Sequence, residues 1–508
     1  MANNVHSSFT GLLHSFENYP DRIAVTDKKG VEYSYSEFYQ HIAWCRERLI
    51  ERGVKKGTRV LLAIPMTMEL YAMMEALFSL GGVIIFLDPW LKGSQMSAII
   101  KDVKPELLVC TPKIKWAACL MPAAWTIKKW FAVKELGTSK NKWTVTNICD
   151  DDTALITFTG GSSGAPKGAD RSFGFLAAQL KVLKPHLQAE EGSYVDYSNF
   201  PIVGLADFAV GNHVVIPKID LRKLEQANPS EVWETIVRHK VTRTITSPSL
   251  LLKIKEGMDA AGAKGELKEV ITGGAPIPFS LIDGFINDFP NLKMEAIYGS
   301  TEAEPIAITD FESMRKTMET PLKGVFAGKN VPEVELKIIE PLSKALSTEN
   351  LDSIVLSDGE AGEIIVTGEH VNKGYYKNEK AFLENKITDK TGKIWHRTGD
   401  VGYREAEGIY LVGRVHRIIR KEEMNYHPYP IELYLEKNLG IRDAAYIQES
   451  SGKVVLHLGK SETANDEGII ECINQAKYPL DAIRRHGIDL PRDARHRSKL
   501  DLNTLLKL

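Results

Sequence analysis

Cysteine is scarce in this chain: five among 508 residues, at Cys45, Cys110, Cys119, Cys149 and Cys472, with no pair at C-x-x-C spacing. That pattern argues against a cysteine zinc site or a disulfide framework and for a reducing compartment. Long apolar runs are missing as well. Stretches such as Gly82 to Leu87 fall far short of the ~20 residues that a membrane span needs. The opening residues, MANNVHSSFTGLLHSF, hold no basic segment followed by an apolar run of signal-peptide length. Net charge is nearly absent, since 64 Lys and Arg face 66 Asp and Glu, so no global field recruits nucleic acid or an anionic membrane. Internal repeats and low-complexity segments are lacking too. A cytoplasmic protein with no nucleic-acid partner and no integral membrane segment is the expectation.

What is present is a globular composition, 43% hydrophobic and 26% charged, in a length that suggests about three domain-sized units. From Ser34 to Arg52, Phe38, Ile42, Cys45, Leu49 and Ile50 recur at helical spacing, and Ser34 with Glu37 forms a capping box. RVLLAI (Arg59–Ile64) predicts a buried strand, Met68 to Leu80 a helix, VIIFLD (Val83–Asp88) a second strand, and ELLVC (Glu106–Cys110) a third after another helix. Alternation of this kind implies parallel βαβ units in a doubly wound sheet. The pattern returns after Asp152 with ALITFT, TRTIT, KEVIT and KMEAI. After Pro332 come short alternating strands (EVELKII, GEIIVTG, GIYLVG), and the charged last hundred residues suggest a separate small domain. The expected fold is α/β: a large N-terminal region, 1–412, of two doubly wound α/β units plus a small β unit, then a small mobile α+β C-terminal domain, 413–508.

Four segments carry candidate chemistry. TGGSSGAPKG (Thr159–Gly168) follows an apolar strand and packs glycines and hydroxyls where the chain turns. Glycines let backbone N–H groups approach an anion, and hydroxyls add donors. A Walker A loop is excluded, because Lys167 lies between Pro166 and Gly168 rather than before a Ser or Thr. YGSTE (Tyr298–Glu302) offers an aromatic ring for a base, a hydroxyl for a phosphate and a carboxylate for Mg²⁺. HRTGD (His396–Asp400) offers a loop aspartate to ribose hydroxyls, and LVGRVHRIIR (Leu411–Arg420) leads a strand into a basic stretch. Taken singly, the first is as readily a plain turn, while YGSTE and HRTGD are more readily an ordinary strand exit and a surface turn.

Their order and separation change that. The chain resembles the adenylate-forming superfamily of acyl-CoA synthetases, luciferases and peptide-synthetase adenylation domains, which carry a phosphate loop, Y-G-x-T-E, T-G-D and G-R-x-D-x-x-I-K in this order. The resemblance implies that Thr159, Gly161, Ser162, Ser163, Gly164 and Lys167 cradle the phosphates of ATP. It implies that Gly273, Gly274, Ala275 and Pro276 line the adenine with Tyr298, Gly299 and Ser300. Thr301 would lie near the α-phosphate, Glu302 on Mg²⁺, and Asp400 with Arg414 at the ribose. Lys499, in DARHRSKLD near the end, would be the catalytic lysine. Lys167, Thr301, Glu302 and Lys499 then form the catalytic set, acting on a small-molecule carboxylic acid with ATP and Mg²⁺.

Departures from the family pattern concern the second half-reaction. At the hinge GRVHRIIRKEE, His416 replaces an Asp, Arg420 a Lys and Glu423 a Gly; in thioester-forming relatives that glycine lies close to the pantetheine arm. FPIVGLADFAVG (Phe200–Gly211) stands where many acyl-CoA synthetases carry P-x-F-H-x-x-G, and Gly160 replaces a loop serine. Together these features resemble olefin-pathway β-lactone synthetases, in which the adenylate of a β-hydroxy acid is closed by its own hydroxyl. Use of CoA therefore stays open, against the alternatives of an acyl-CoA or acyl-carrier ligase and of a non-catalytic nucleotide-binding module. Arg484, Arg485, Arg492, Arg495 and Arg497 either dock an acyl carrier protein or pathway enzyme, or form a solvated face.

Overall fold

The computed structural model describes residues 7–88, 90–159, 166–189, 192–262, 267–342, 348–492 and 500–508. Local signals set the first elements. Ser34 Oγ accepts the Glu37 N–H at 3.2 Å while the Glu37 carboxylate accepts the Ser34 N–H at 2.8 Å, closing the expected capping box. The helix Tyr35–Glu51 follows, with Tyr35, Phe38, Ile42, Cys45 and Leu49 buried.

The chain forms two compact units, the first made of Met1–Thr272 with Glu369–Phe382. Its first sheet runs in the order Lys129–Ala132, Leu107–Cys110, Arg59–Ala63, Val83–Leu87, Thr153–Thr159, Lys167–Ser172. All neighbours are parallel except the last pair. Strand side chains alternate between faces, and here each face has its own core. Val60, Leu62, Ile84 and Val109 pack with the helix Met68–Ser79, whereas Leu61, Ile85 and Leu108 pack with Ile99, Ile100 and Val103 of Gly93–Val103. Continuous apolar strands are therefore what this doubly wound sheet requires. ALITFT, which reads in the sequence as the return of the pattern, joins this first sheet instead, parallel to Val83–Leu87. The second sheet of this unit carries Glu269–Gly273, Arg243–Thr246, Val195–Ser198, His213–Val215 and Ile23–Thr26 in parallel, with Glu32–Ser34 antiparallel at its edge.

The second unit holds Gly273–Gly368 and Leu383–Leu508. Glu335–Ile339, Gly362–Thr367, Ile394–Glu405, Gly408–Arg414, Val325–Asn330, Ala303–Asp310 and Lys293–Ser300 are neighbours in that order, all antiparallel. The β-rich texture after Pro332 is this sheet. Beyond it, the strands Ala444–Gln448, Val454–Leu458 and Ala482–Arg485 pair in a three-stranded sheet. Ile431 and Leu435 of the helix Pro428–Leu439 and Ile469 and Ile473 of Asp466–Gln475 close a core with Ile419, Tyr446, Val454 and Leu456. The fold class is thus α/β with a small α+β segment at the end. No described helix is long and apolar enough to cross a membrane.

Candidate active site

In the second unit, the strand Lys293–Ser300 turns back at once into Ala303–Asp310, so Thr301 and Glu302 occupy the hairpin tip. Glycine is obligatory there: a Cβ on Gly299 would lie 2.8 Å from the Ala303 carbonyl oxygen. Likewise a Cβ on Gly273 would lie 2.6 Å from the Ile297 oxygen, and Gly274 takes φ +80°, a left-handed conformation that glycine adopts without strain. GGAP and YGSTE therefore run side by side because glycine permits it.

HRTGD, expected as a loop, lies inside the strand Ile394–Glu405. The strand is kinked at that point. Gly399 has φ +69°, and the pairing with Gly362–Thr367 shifts register between Glu363 and Ile365. Thr398 fixes the kink by donating its hydroxyl to the Ile364 carbonyl at 2.9 Å and accepting the Asp400 N–H at 3.0 Å. A bulge of this type re-aims a side chain, and the side chain re-aimed is Asp400. Its Oδ2 accepts the Tyr298 hydroxyl at 2.9 Å and its Oδ1 takes Arg414 Nη1 at 2.6 Å. Burial, then the Asp400 charge, hold the Tyr298 phenol well above its ordinary range, so it remains a donor. Asp400 in turn holds the Arg414 guanidinium more firmly charged than usual. Tyr298, Asp400 and Arg414 are thus one constellation, assembled from three of the four sequence segments.

Ser300 Oγ is buried without a hydrogen-bond partner among the described residues, an orphan that an incoming phosphate or hydroxyl would satisfy. Among the described residues no group of three or more His, Cys, Asp or Glu is placed to hold a metal ion. Mg²⁺ is usually held by one or two carboxylates together with substrate phosphates, so Glu302 with the Thr301 hydroxyl fits it as part of a nucleotide complex. One buried cation was not legible in the sequence. Lys386 opens the strand Lys386–Thr388, and its register opposite His396 buries it. Burial pushes its ammonium down to about 7 against the pull of Glu302, the charge that faces it. Nothing in Asn385–Thr388 singles it out; only the cross-strand pairing does.

At the hinge, His416 lies in the short helix Val415–Arg417. Burial first, then Arg414 and Arg417, push its imidazole down to about 4, so it is neutral near pH 7. Glu422 and Glu423 form the tip of the hairpin Ile419–Lys421/Met424–Tyr426 with φ +53° and +64°. Side chains other than glycine, Asn and Asp rarely adopt that conformation, so the family's glycine is replaced by Glu423 where glycine would be easiest. Arg484, Arg485 and Arg492 pair with Glu449, Asp466 and Asp443 at 2.7, 2.7 and 2.9 Å. Arg495, Arg497 and Lys499 lie outside the described residues.

In the first unit, Thr159 ends the parallel strand Thr153–Thr159 and pairs with Lys167, which opens Lys167–Ser172. Thr159 and Lys167, which flank the phosphate-loop candidate, therefore stand at the carboxyl end of a parallel strand, where doubly wound sheets place ligands. Gly161, Ser162, Ser163 and Gly164 lie outside the described residues, as does the Thr159 side chain.

A family model described as "AMP-binding enzyme" matches residues 12–376. A peroxisomal OPC-8:0-CoA ligase of Arabidopsis thaliana is 26% identical, covering 91% of this chain and 86% of that protein. An olefin beta-lactone synthetase of Stenotrophomonas maltophilia is 28% identical, covering 71% of this chain and 68% of that protein. Among solved structures, the O-succinylbenzoate coenzyme A synthetase of Bacillus subtilis, in complex with ATP and magnesium ion, matches with TM-score 0.77 at 21% identity, covering 98% and 99% of the two chains.

Proposed function

Given that the chain belongs to the AMP-binding enzyme family and is an AMP-forming, adenylate-forming ligase, we propose that it activates a fatty or β-hydroxy carboxylic acid as acyl-AMP and then closes a β-lactone. The observation that carries the adenylation reading is the Asp400 carboxylate held between Tyr298 and Arg414. In this reading Tyr298, Gly273–Pro276, Gly299 and Ser300 receive the adenine, and Asp400 takes the ribose hydroxyls with Arg414 beside it. Thr159, Gly161 to Gly164 and Lys167 wrap the phosphates. Residues 413–508 form a lid that delivers Lys499, a division supported by the separate core around Ile431 and Leu456.

A carboxylate is a poor electrophile, because its charge repels nucleophiles and oxide is a very poor leaving group. Its attack on the α-phosphate, with pyrophosphate leaving, creates a mixed anhydride whose leaving group is AMP. Both reactants are anionic, so Lys499, Lys167 and Thr301 act by holding positive charge and donors against the α-phosphate. Glu302, with the substrate phosphates, would hold Mg²⁺, which would supply further neutralisation of the developing charge.

In the second step the β-hydroxyl oxygen attacks the adenylate carbonyl carbon, the carbonyl–phosphate bond breaks, AMP leaves and the hydroxyl proton passes to a base. The nucleophile is already attached, so it has a high effective molarity and needs no thiol site. The likeness to an olefin beta-lactone synthetase and the charged Glu423 at the hairpin tip support this step. The likeness to a CoA ligase supports the second reading, transfer to CoA or to a carrier protein. A β-hydroxy acid with ATP and Mg²⁺ alone should give AMP and a product lighter than the acid by one water, identified by mass. CoA should neither speed AMP release nor yield a thioester. Strong stimulation by CoA, with equal use of acids lacking the hydroxyl, would establish the ligase reading instead.

A further inference from the structure

The three most exposed large apolar side chains among the described residues fall within ten positions of one another. Trp116 is 78% exposed, Leu120 86% and Trp125 68%; the next, Leu508 at 60%, is the last residue of the chain. Single exposed apolar residues are ordinary, but a cluster of large ones marks an interaction surface. The helix Pro112–Cys119 that carries Trp116 has no buried residue at all. Its inner side is defined: Ile114 and Ala118, with Met121 just beyond, pack on the core beneath the first sheet. Trp116 and Leu120 are each offset by two residues from that stripe, about 200° around the helix, and so point away from the protein. Trp125, on the short helix Pro122–Thr126, donates its indole N–H to the Cys119 carbonyl at 3.0 Å, which pins its ring beside the end of the first helix.

The charge around this apolar tip has one sign. Residues 111–134 contain Lys113, Lys115, Lys128, Lys129 and Lys134 and no Asp or Glu, although the chain as a whole is nearly neutral. All five lysines are exposed. Of the acids that border the segment, Glu106 is paired with Arg59 at 3.2 Å, Asp102 is flanked by Lys101 and Lys104, and the exposed Glu135 follows Lys134 directly, leaving five lysines against that one bordering carboxylate.

We propose that the Pro112–Thr126 element docks the enzyme on an anionic lipid bilayer surface, with Trp116, Leu120 and Trp125 entering the interface and the lysines meeting the headgroups. Indole rings favour the headgroup level because they are apolar with one polar N–H, and a lysine collar adds attraction to anionic lipid. A protein partner would be expected to oppose the collar with acids, whereas a membrane supplies negative charge without a fixed register. None of these side chains is among the adenylation residues, so the inference does not rest on the proposed substrate.

Sedimentation of the full-length chain with vesicles tests it. Binding to vesicles of equal parts phosphatidylglycerol and phosphatidylcholine should exceed binding to phosphatidylcholine alone by at least about tenfold, and salt should weaken it. Trp116→Ala with Trp125→Ala should lower it by at least about tenfold, and Lys113→Gln and Lys115→Gln by roughly fivefold each. The side chains are exposed, so the thermal melting of these variants and their use of a short, soluble acid should match the unsubstituted enzyme. Absence of binding to the mixed vesicles, or unchanged binding by the tryptophan variants, would overturn the proposal. A concentration-dependent dimer that the same substitutions dissolve, without vesicle binding, would overturn it in favour of a second copy of the chain.

Discussion

Lys499→Ala should lower acid-dependent exchange of pyrophosphate into ATP by roughly a hundredfold or more, the scale of losing a charge donor to the transition state. The carboxylate and the α-phosphate repel each other most as the new bond forms, so a lysine there stabilises the transition state beyond the bound substrates. The loss should therefore fall on kcat, with the affinity for ATP changed little. Lys499→Arg should recover part of the rate, since charge is restored but not the compact geometry of an ammonium. Unchanged exchange in Lys499→Ala would remove the residue from the reaction and shift the role to Lys167, which opens the strand after the phosphate loop.

Arg243→Met should cost about 3–5 kcal/mol of folding stability, a large share of the roughly 5–15 kcal/mol that holds a typical domain. Arg243 is fully buried, at 2.6 Å from Asp196, 3.3 Å from Asp207 and 3.5 Å from Glu269, and its Nη1 donates to the His186 carbonyl at 2.9 Å. Its guanidinium also stacks over the Tyr194 ring, 3.8 Å from the centroid. Burial already raises the Asp196 and Asp207 carboxyl pKa values, and the Arg243 charge is what opposes that rise. Without it, the folded state must hold these acids protonated or tolerate unpaired charge. A carboxyl whose folded pKa lies above its unfolded value binds more protons when folded, so stability falls as pH rises through that window. The deficit of the variant should therefore be greatest near neutral pH and shrink towards pH 5. Urea unfolding at several pH values measures it, and a loss under about 1 kcal/mol, independent of pH, would contradict it. The network also reaches a segment that the sequence singled out. Asp207 lies on the helix Pro201–Ala209, the segment in which FPIVGLADFAVG departs from P-x-F-H-x-x-G.

What was legible in the sequence was whatever local chemistry decides. The Ser34–Glu37 capping box, the apolar strands around Val60, Ile84 and Leu108, and the antiparallel strands after Pro332 all appear where patterning puts them. Pairing partners were less legible. Thr153–Thr159 is as apolar as the strands of the second sheet, and only tertiary contact assigns it to the first. The turn-like letters of Thr398–Asp400 mark a kinked strand, because a Thr-Gly pair serves a bulge as well as a loop. Arg243 and Lys386 escaped notice for a related reason: each owes its burial to partners distant in sequence or across a strand pair. At the site, Tyr298, Asp400 and Arg414 were recognisable as motif members, whereas their mutual hydrogen bonds required the fold.

The central claim is that a carboxylate oxygen becomes bonded to the α-phosphorus of ATP. The most direct test is to supply an acid whose carboxylate carries heavy oxygen, together with ATP and Mg²⁺, and to weigh the AMP released. Attack on the α-phosphate followed by acyl transfer, whether to the acid's own hydroxyl or to a thiol, leaves one labelled oxygen on AMP. AMP carrying that label, formed only when acid is present, is the predicted result. Unlabelled AMP, or acid-dependent release of ADP with the label in inorganic phosphate, would contradict it.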